Sequence, residues 1–154
     1  MGFEVQFSSR DLASVTRALK DLGDKGLGKE MGRQLRAATR PLAKEIRAEV
    51  PKAMPSGYAP VLSKSLRFRQ AVKETQQTAR VTYRVYGDGR RERRDVVRLN
   101  AGVLRHPVFG RRRDSWVDQR VRKGFVDRPV DRMQPQVTRQ MEAVLDYVAD
   151  QLKG

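Results

Sequence analysis

The chain has 154 residues, 38% of them hydrophobic and 33% charged, with no cysteine and a formal net charge of +15. That length suits a single domain over residues 1–154 with its own core. The missing cysteine excludes disulfide frameworks, thiolate metal sites and cysteine nucleophiles, and fits assembly in a reducing cytoplasm. No apolar run approaches the ~20 residues that span a bilayer. The start, Met1-Gly2-Phe3-Glu4-Val5, lacks the basic and apolar regions of a signal peptide, so neither a leader nor a membrane partner is expected. A pI of about 11.0 favours nucleic acid, an acidic protein face or an anionic membrane surface as partner.

Phe3, Val5 and Phe7 alternate with Glu4 and Gln6, the period of a short strand with one buried face. Ser8-Ser9-Arg10-Asp11 reads as a capping box. It opens a helix along which Leu12, Val15, Leu19 and Leu22 recur, with Gly23 as its stop. Asp24–Gly28 is expected to be a glycine turn, because it lacks the Gly-Lys-Ser/Thr ending and the preceding strand of a phosphate loop. Met31, Leu35, Ala38, Leu42 and Ile46 then make one apolar stripe, which predicts a helix over about Lys29–Val50. Pro41 is expected to kink or split it, and Pro51 and Pro55 to end it. Residues 51–65, with Ser56, Gly57 and Pro60 as further breakers, are expected to form an irregular, flexible loop.

Leu66, Phe68, Gln70 and Val72 alternate with Arg67, Arg69 and Lys73, and Val81, Tyr83 and Val85 alternate with Thr82, Arg84 and Tyr86. This predicts an antiparallel hairpin with one apolar and one basic face. Gly87-Asp88-Gly89 opens a basic loop over 87–95 that carries Arg90, Arg91, Arg93 and Arg94. One or two helical turns are expected over Asp95–Asn100. A strand is expected over Trp116–Val121, with Val117, Gln119 and Val121 on one face. Asp131 with Gln134 suggests a capping box, and Met133, Val137, Met141, Val144, Leu145, Val148 and Leu152 predict a helix over about Asp131–Lys153. The fold class is α+β: N-terminal helices and a long C-terminal helix packed on a small antiparallel β-sheet.

No catalytic constellation is visible. His106 is the single histidine, so neither a multi-histidine metal site nor a HExxH motif exists, and a structural role in a turn is expected for it. Asp88, Glu92, Asp95, Asp114, Asp118 and Asp127 are scattered among arginines and read as surface ion-pair partners. No GxSxG, Walker or dinucleotide fingerprint occurs. No catalytic residue, metal or cofactor is therefore expected, and the protein is not expected to be an enzyme. The runs Arg90–Arg94 and Arg111-Arg112-Arg113 suit phosphate oxygens and carboxylates equally. They read as contacts to DNA, as contacts to an acidic partner, or as a solvated face. Nothing resembles a recognition helix, an RNP motif or a zinc finger, so base-specific reading is not expected.

The most distinctive stretch runs Leu99-Asn100-Ala101-Gly102-Val103-Leu104-Arg105-His106-Pro107-Val108-Phe109-Gly110, followed by Trp116, Gln119 and Gly124-Phe125. It resembles the gp10-like family named after phage HK97, the neck, tail-completion or head–tail connector proteins of tailed phages. The likeness covers most of the chain and is sharp from Leu99 to Phe125. Many members carry Thr-Gly-x-Leu before the first central strand, where this chain has Ser56-Gly57-Tyr58-Ala59 and then Ser63-Lys64-Ser65-Leu66. The resemblance implies a structural virion protein at the head–tail junction, assembled in the host cytoplasm. It implies a homo-oligomeric ring of sixfold or twelvefold symmetry, docked on neighbouring neck or tail rings and in non-specific contact with packaged DNA. His106, Pro107, Phe109, Gly110, Trp116, Gly124 and Phe125 are then structural motif residues. Pro107 fixes its own φ and extends His106, and Gly110 permits a turn. Trp116 and Phe125 are expected to anchor the core. The alternative expectation is a free, non-specific nucleic-acid-binding protein.

Overall fold

The computed structural model describes residues 3–8, 10–23, 25–74, 79–87, 95–107 and 115–153. The element order is β1 (Phe3–Ser8), α1 (Arg10–Leu22), α2 (Lys25–Ala53), α3 (Ala59–Ser65), β2 (Leu66–Glu74), β3 (Ala79–Gly87), α4 (Val96–Asn100), β4 (Val103–Pro107), β5 (Trp116–Arg120) and α5 (Asp127–Lys153). β1, β3 and β2 form a three-stranded sheet in that order, and β4 and β5 form a separate antiparallel pair. The class is α+β, with a long C-terminal helix and a small antiparallel sheet. The strand β4 was not foreseen. Among the described residues no helix is long and apolar enough to cross a membrane.

Several local expectations are corrected by burial. Helix α2 is continuous for 29 residues through Pro41 and begins at Lys25, inside the expected glycine turn. Met31, Leu35, Ala38, Leu42, Ile46 and Val50 are all buried along it. The Met, Leu, Ile and Val side chains among them contribute roughly 1.5–3 kcal/mol each, and together they outweigh the cost of about 3 kcal/mol for an interior proline. The irregular segment expected over 51–65 is instead the end of α2, a turn closed by Tyr58 and Ala59 N–H groups on the Pro55 carbonyl, and the seven-residue helix α3. Pro60 sits in the first turn of α3, where its missing N–H has no helical partner to lose. The loop 87–95 lies outside the described residues apart from Gly87 and Asp95.

Helix α5 starts at Asp127, four residues before the expected Asp131, and runs through Pro135. The capping group is therefore not Asp131. It comes from elsewhere in the chain, as described below. In the central hairpin Leu66, Val81, Tyr83 and Val85 are buried and Arg67, Arg69 and Arg84 exposed, as the alternation predicts. Thr82 is buried too, so the second face of the middle strand β3 is not uniformly basic.

The chain divides into two compact units: Met1–Phe3, Ala43–Phe68 and Arg84–Arg132 form the first, and Glu4–Leu42, Arg69–Tyr83 and Met133–Gly154 the second. In the first, Ile46, Val50, Leu62, Leu66, Val96, Leu99 and Phe125 are buried almost completely. Arg47 donates to the Leu66 carbonyl at 3.3 Å and stacks 4.8 Å from the Phe68 ring centroid. Arg132 reaches Glu45 at 3.2 Å and the buried Glu49 at 3.3 Å, tying the start of α5 to the end of α2. In the second unit, Leu35, Val81, Val137, Met141, Leu145 and Val148 are buried. There the Gln70 side chain donates to the Leu35 carbonyl at 2.9 Å, fixing β2 on α2.

Pro41 opposes the helix that contains it. Pro41→Ala restores an N–H that can reach the Ala37 carbonyl, and it is expected to raise stability by about 1–3 kcal/mol. A higher urea midpoint with an unchanged slope is the expected reading. An unchanged or lower midpoint would mean that packing around Leu42 requires the proline bend.

Candidate interaction hairpin

The distinctive stretch Leu99–Phe125 folds as a helical turn, a two-stranded hairpin and the entry to α5, all within the first unit. Helix α4 starts on Asp95, whose side chain accepts from the N–H groups of Val97 at 3.0 Å and Arg98 at 3.4 Å. This satisfies two donors that a helix start leaves open. The helix ends at Gly102, whose φ of +93° is a conformation that L side chains rarely adopt. A Cβ there would lie 2.7 Å from Lys123 Cγ and 3.0 Å from the Val121 carbonyl oxygen. Glycine is required at this position for both reasons.

From Gly102 the chain enters β4, which contacts α4 and pairs with β5 in the register Val103↔Arg120, Leu104↔Gln119, Arg105↔Asp118, His106↔Val117 and Pro107↔Trp116. One further bond, from the Val121 N–H to the Gly102 carbonyl at 2.9 Å, closes the base. Leu104 is buried, whereas every residue of β5 is exposed. The strand expected here is present over Trp116–Arg120, and both of its faces are exposed.

Trp116 is the clearest correction. It is 37% exposed and Val117 is 42% exposed. Successive strand residues point to opposite faces, so the end of β5 offers apolar surface on both. The expected core role fails because no described element other than β4 pairs with β5. Phe125, by contrast, is fully buried as expected. His106 is half-buried opposite Val117. Among the described residues no group of three or more His, Cys, Asp or Glu side chains is placed to hold a metal ion. Phe109, Gly110 and Arg111, Arg112 and Arg113 lie outside the described residues, as do Arg90, Arg91, Arg93 and Arg94.

The hairpin is fixed by a residue to which the sequence reading assigns no role. Asn100 is 6% exposed and bonds through its backbone carbonyl and both polar atoms of its side chain. Its backbone carbonyl accepts from the Gly124 N–H at 2.8 Å. Its side-chain oxygen accepts from the N–H groups of Val126 at 3.0 Å and Asp127 at 3.2 Å, and its side-chain nitrogen donates to the Asp127 carboxylate at 2.9 Å. Asn100 thus caps α5 from a distance, which explains why the helix begins at Asp127. Gly124, at φ +84°, turns the chain so that the next amides face Asn100. The Arg122 N–H bonds the Ala53 carbonyl at 3.3 Å, a further tie to the end of α2. The signal in the sequence was an asparagine just before Ala-Gly, and nothing local says that it caps a helix 27 residues on.

Sequence reading also passed over a row of cations on α2. Lys25, Lys29, Arg33, Arg36 and Arg40 are all exposed. The apolar stripe on the same helix drew the reading to its other face.

Asn100→Ala removes the acceptor of two amides and the donor to Asp127. A loss of about 2–4 kcal/mol is expected, seen as a lower urea midpoint. Asn100→Asp keeps an acceptor but sets a second carboxylate against Asp127, and it should fall between the parent and the alanine variant. Equal stability of all three would remove Asn100 from this role.

No protein family, curated protein or solved structure matches the chain.

Proposed function

We propose that the protein works by assembly and not by catalysis, as a ring subunit at the head–tail junction of a tailed phage: a neck, connector or tail-completion protein surrounding the DNA path. The observation that carries this reading is the hairpin β4–β5, whose outer strand is exposed along its length and begins with Trp116 and Val117. A tryptophan held in the open on an anchored strand suits an interface anchor, the role in which this residue type is enriched. Closed rings use heterologous contacts, in which one patch of a subunit fits a different patch on its neighbour. An outlying hairpin fixed at its base by Asn100, Gly102 and Gly124 is well formed for such a contact. The resemblance of Leu99–Phe125 to the phage family supports the same reading.

The second reading, a free and non-specific nucleic-acid-binding protein, is favoured by the exposed cations of α2. Cryo-electron microscopy of virions separates the two. Ring density for this chain at the neck or the top of the tail is expected, and its absence there would overturn the proposal. A paired Trp116→Ser and Val117→Ser variant is expected to lose some stability, since each side chain is still more than half covered, and a urea curve checks that it remains folded. It is also expected to lose incorporation into particles, scored by immunoblot of purified virions. Normal incorporation would show that the hairpin is not the contact.

A further inference from the structure

We propose that the exposed face of α2 between Lys25 and Arg40 binds the phosphate backbone of duplex DNA. The proposal does not rest on the ring reading, since a subunit lining a DNA path and a free DNA-binding protein would use the same face.

Lys25, Lys29, Arg33, Arg36 and Arg40 follow one another at steps of four, four, three and four residues. At 3.6 residues per turn this spacing keeps them within an arc of about 80° along a line of about 22 Å. All five are exposed and lie in the second unit. Leu35, Ala38 and Leu42, on the opposite arc, are buried. The cationic face is therefore the outward one, and packing fixes its orientation.

A solvated helix face ordinarily mixes signs, because opposite charges at i, i+4 attract and like charges repel. Here Lys25 and Lys29, Lys29 and Arg33, and Arg36 and Arg40 are like-charged i, i+4 pairs. Only Arg33 is answered, by Glu30 at 2.6 Å. The Arg33 hydrogen bond, and then that of Gln34, hold the Glu30 carboxyl below its ordinary range, so this pair stays ionised. Among the described residues Lys25, Lys29, Arg36 and Arg40 have no carboxylate partner. A straight row of unanswered cations on a rigid helix complements a polyanion with regularly spaced charges.

The other exposed residues of this segment narrow the partner. They are Gly26 and Ala37. No aromatic side chain is present to stack unpaired bases, which favours duplex over single strand. No amide is free to read base edges, since the half-buried Gln34 donates to Glu30 at 2.8 Å, and this favours sequence-independent contact. No apolar side chain larger than alanine borders the row, so it lacks the greasy flank of a membrane-surface helix.

The test compares two variants with equal charge loss. One carries Lys25→Gln, Lys29→Gln, Arg36→Gln and Arg40→Gln. The other carries Lys64→Gln, Arg122→Gln, Arg139→Gln and Lys153→Gln, four exposed cations elsewhere. Binding to a random-sequence DNA duplex of about 30 base pairs is followed by fluorescence polarisation across a salt series. Glutamine keeps helix propensity, and coincident urea curves check that both variants fold. The parent is expected to bind at low salt. The α2 variant should bind on the order of tenfold or more weakly at 0.1 M salt, with a salt slope shallower by about 3–4, close to 0.9 for each lost phosphate contact. The control should change the slope by less than about one. Equal weakening by both variants would reduce the effect to general charge and overturn the proposal. An unchanged affinity with altered oligomeric mass, measured by sedimentation, would also overturn it. That result would assign the face to a second copy, whose α5 exposes Glu142, Asp146 and Asp150 at matching i, i+4 steps.

Discussion

The side chain of Asn100 holds together two segments separated by 27 residues, the end of α4 and the start of α5. One amide does this because it is both donor and acceptor. Its oxygen closes two of the N–H groups that any helix start leaves open, and its nitrogen fixes the first carboxylate of the same helix. The neighbouring glycines follow from that geometry. Gly102 must turn immediately after Asn100 where the backbone passes Lys123 and Val121, and Gly124 must turn back to bring the amides of Val126 and Asp127 within reach. Between the two turns the chain is free to run out and return as β4 and β5. The hairpin is thus a closed excursion whose ends are fixed whatever its tip contains.

Sequence periodicity carried the parts of the fold that are governed by one-sided burial. The stripes on α2 and α5, the part of the α1 stripe at Val15 and Leu19 (Leu22 is 65% exposed), and the alternation of β2 and β3 were legible because each is a repeated choice of an apolar residue on one face. What failed were inferences from single residues. Pro41 was read as a kink or break, but it sits in a helix whose buried stripe continues on both sides. Prolines and glycines over 51–65 suggested irregular chain, yet Pro60 only marks the first turn of α3. The start of α5 was misplaced by four residues because its cap is distant in sequence, and no local motif encodes a distant partner.

Within the candidate site the same contrast holds. Phe125 was placed correctly in the core and Trp116 was not, although both are large aromatic residues in a charged neighbourhood. Residue type does not distinguish them. Their difference is topological: Phe125 lies at the junction of α4 and α5, beside the Asn100 cap, while Trp116 lies on a strand with β4 as its described neighbour. The charge excess was read from the clustered arginines of the turns, where it is conspicuous as a run. On α2 the cations are spaced, not clustered, and their alignment becomes visible only when the helix is known to be unbroken from Lys25 onward.

On the proposed reading, a subunit with a net charge of +15 that assembles with copies of itself must overcome its own field. At physiological ionic strength that field is screened within about 8 Å, so repulsion acts mainly where surfaces come into contact. The two proposed contacts would overcome it by means that differ in range. Apolar contact at Trp116 and Val117 is short-ranged and gains nothing from low salt. Neutralisation of the α2 row by phosphates is strongest at low salt and weakens as counterions compete. On the proposed reading the two differ in salt dependence and reinforce each other: a bound polyanion removes the repulsion that the hairpin contacts would otherwise work against. Excess positive charge is then a reason for the subunit to assemble around DNA more readily than without it.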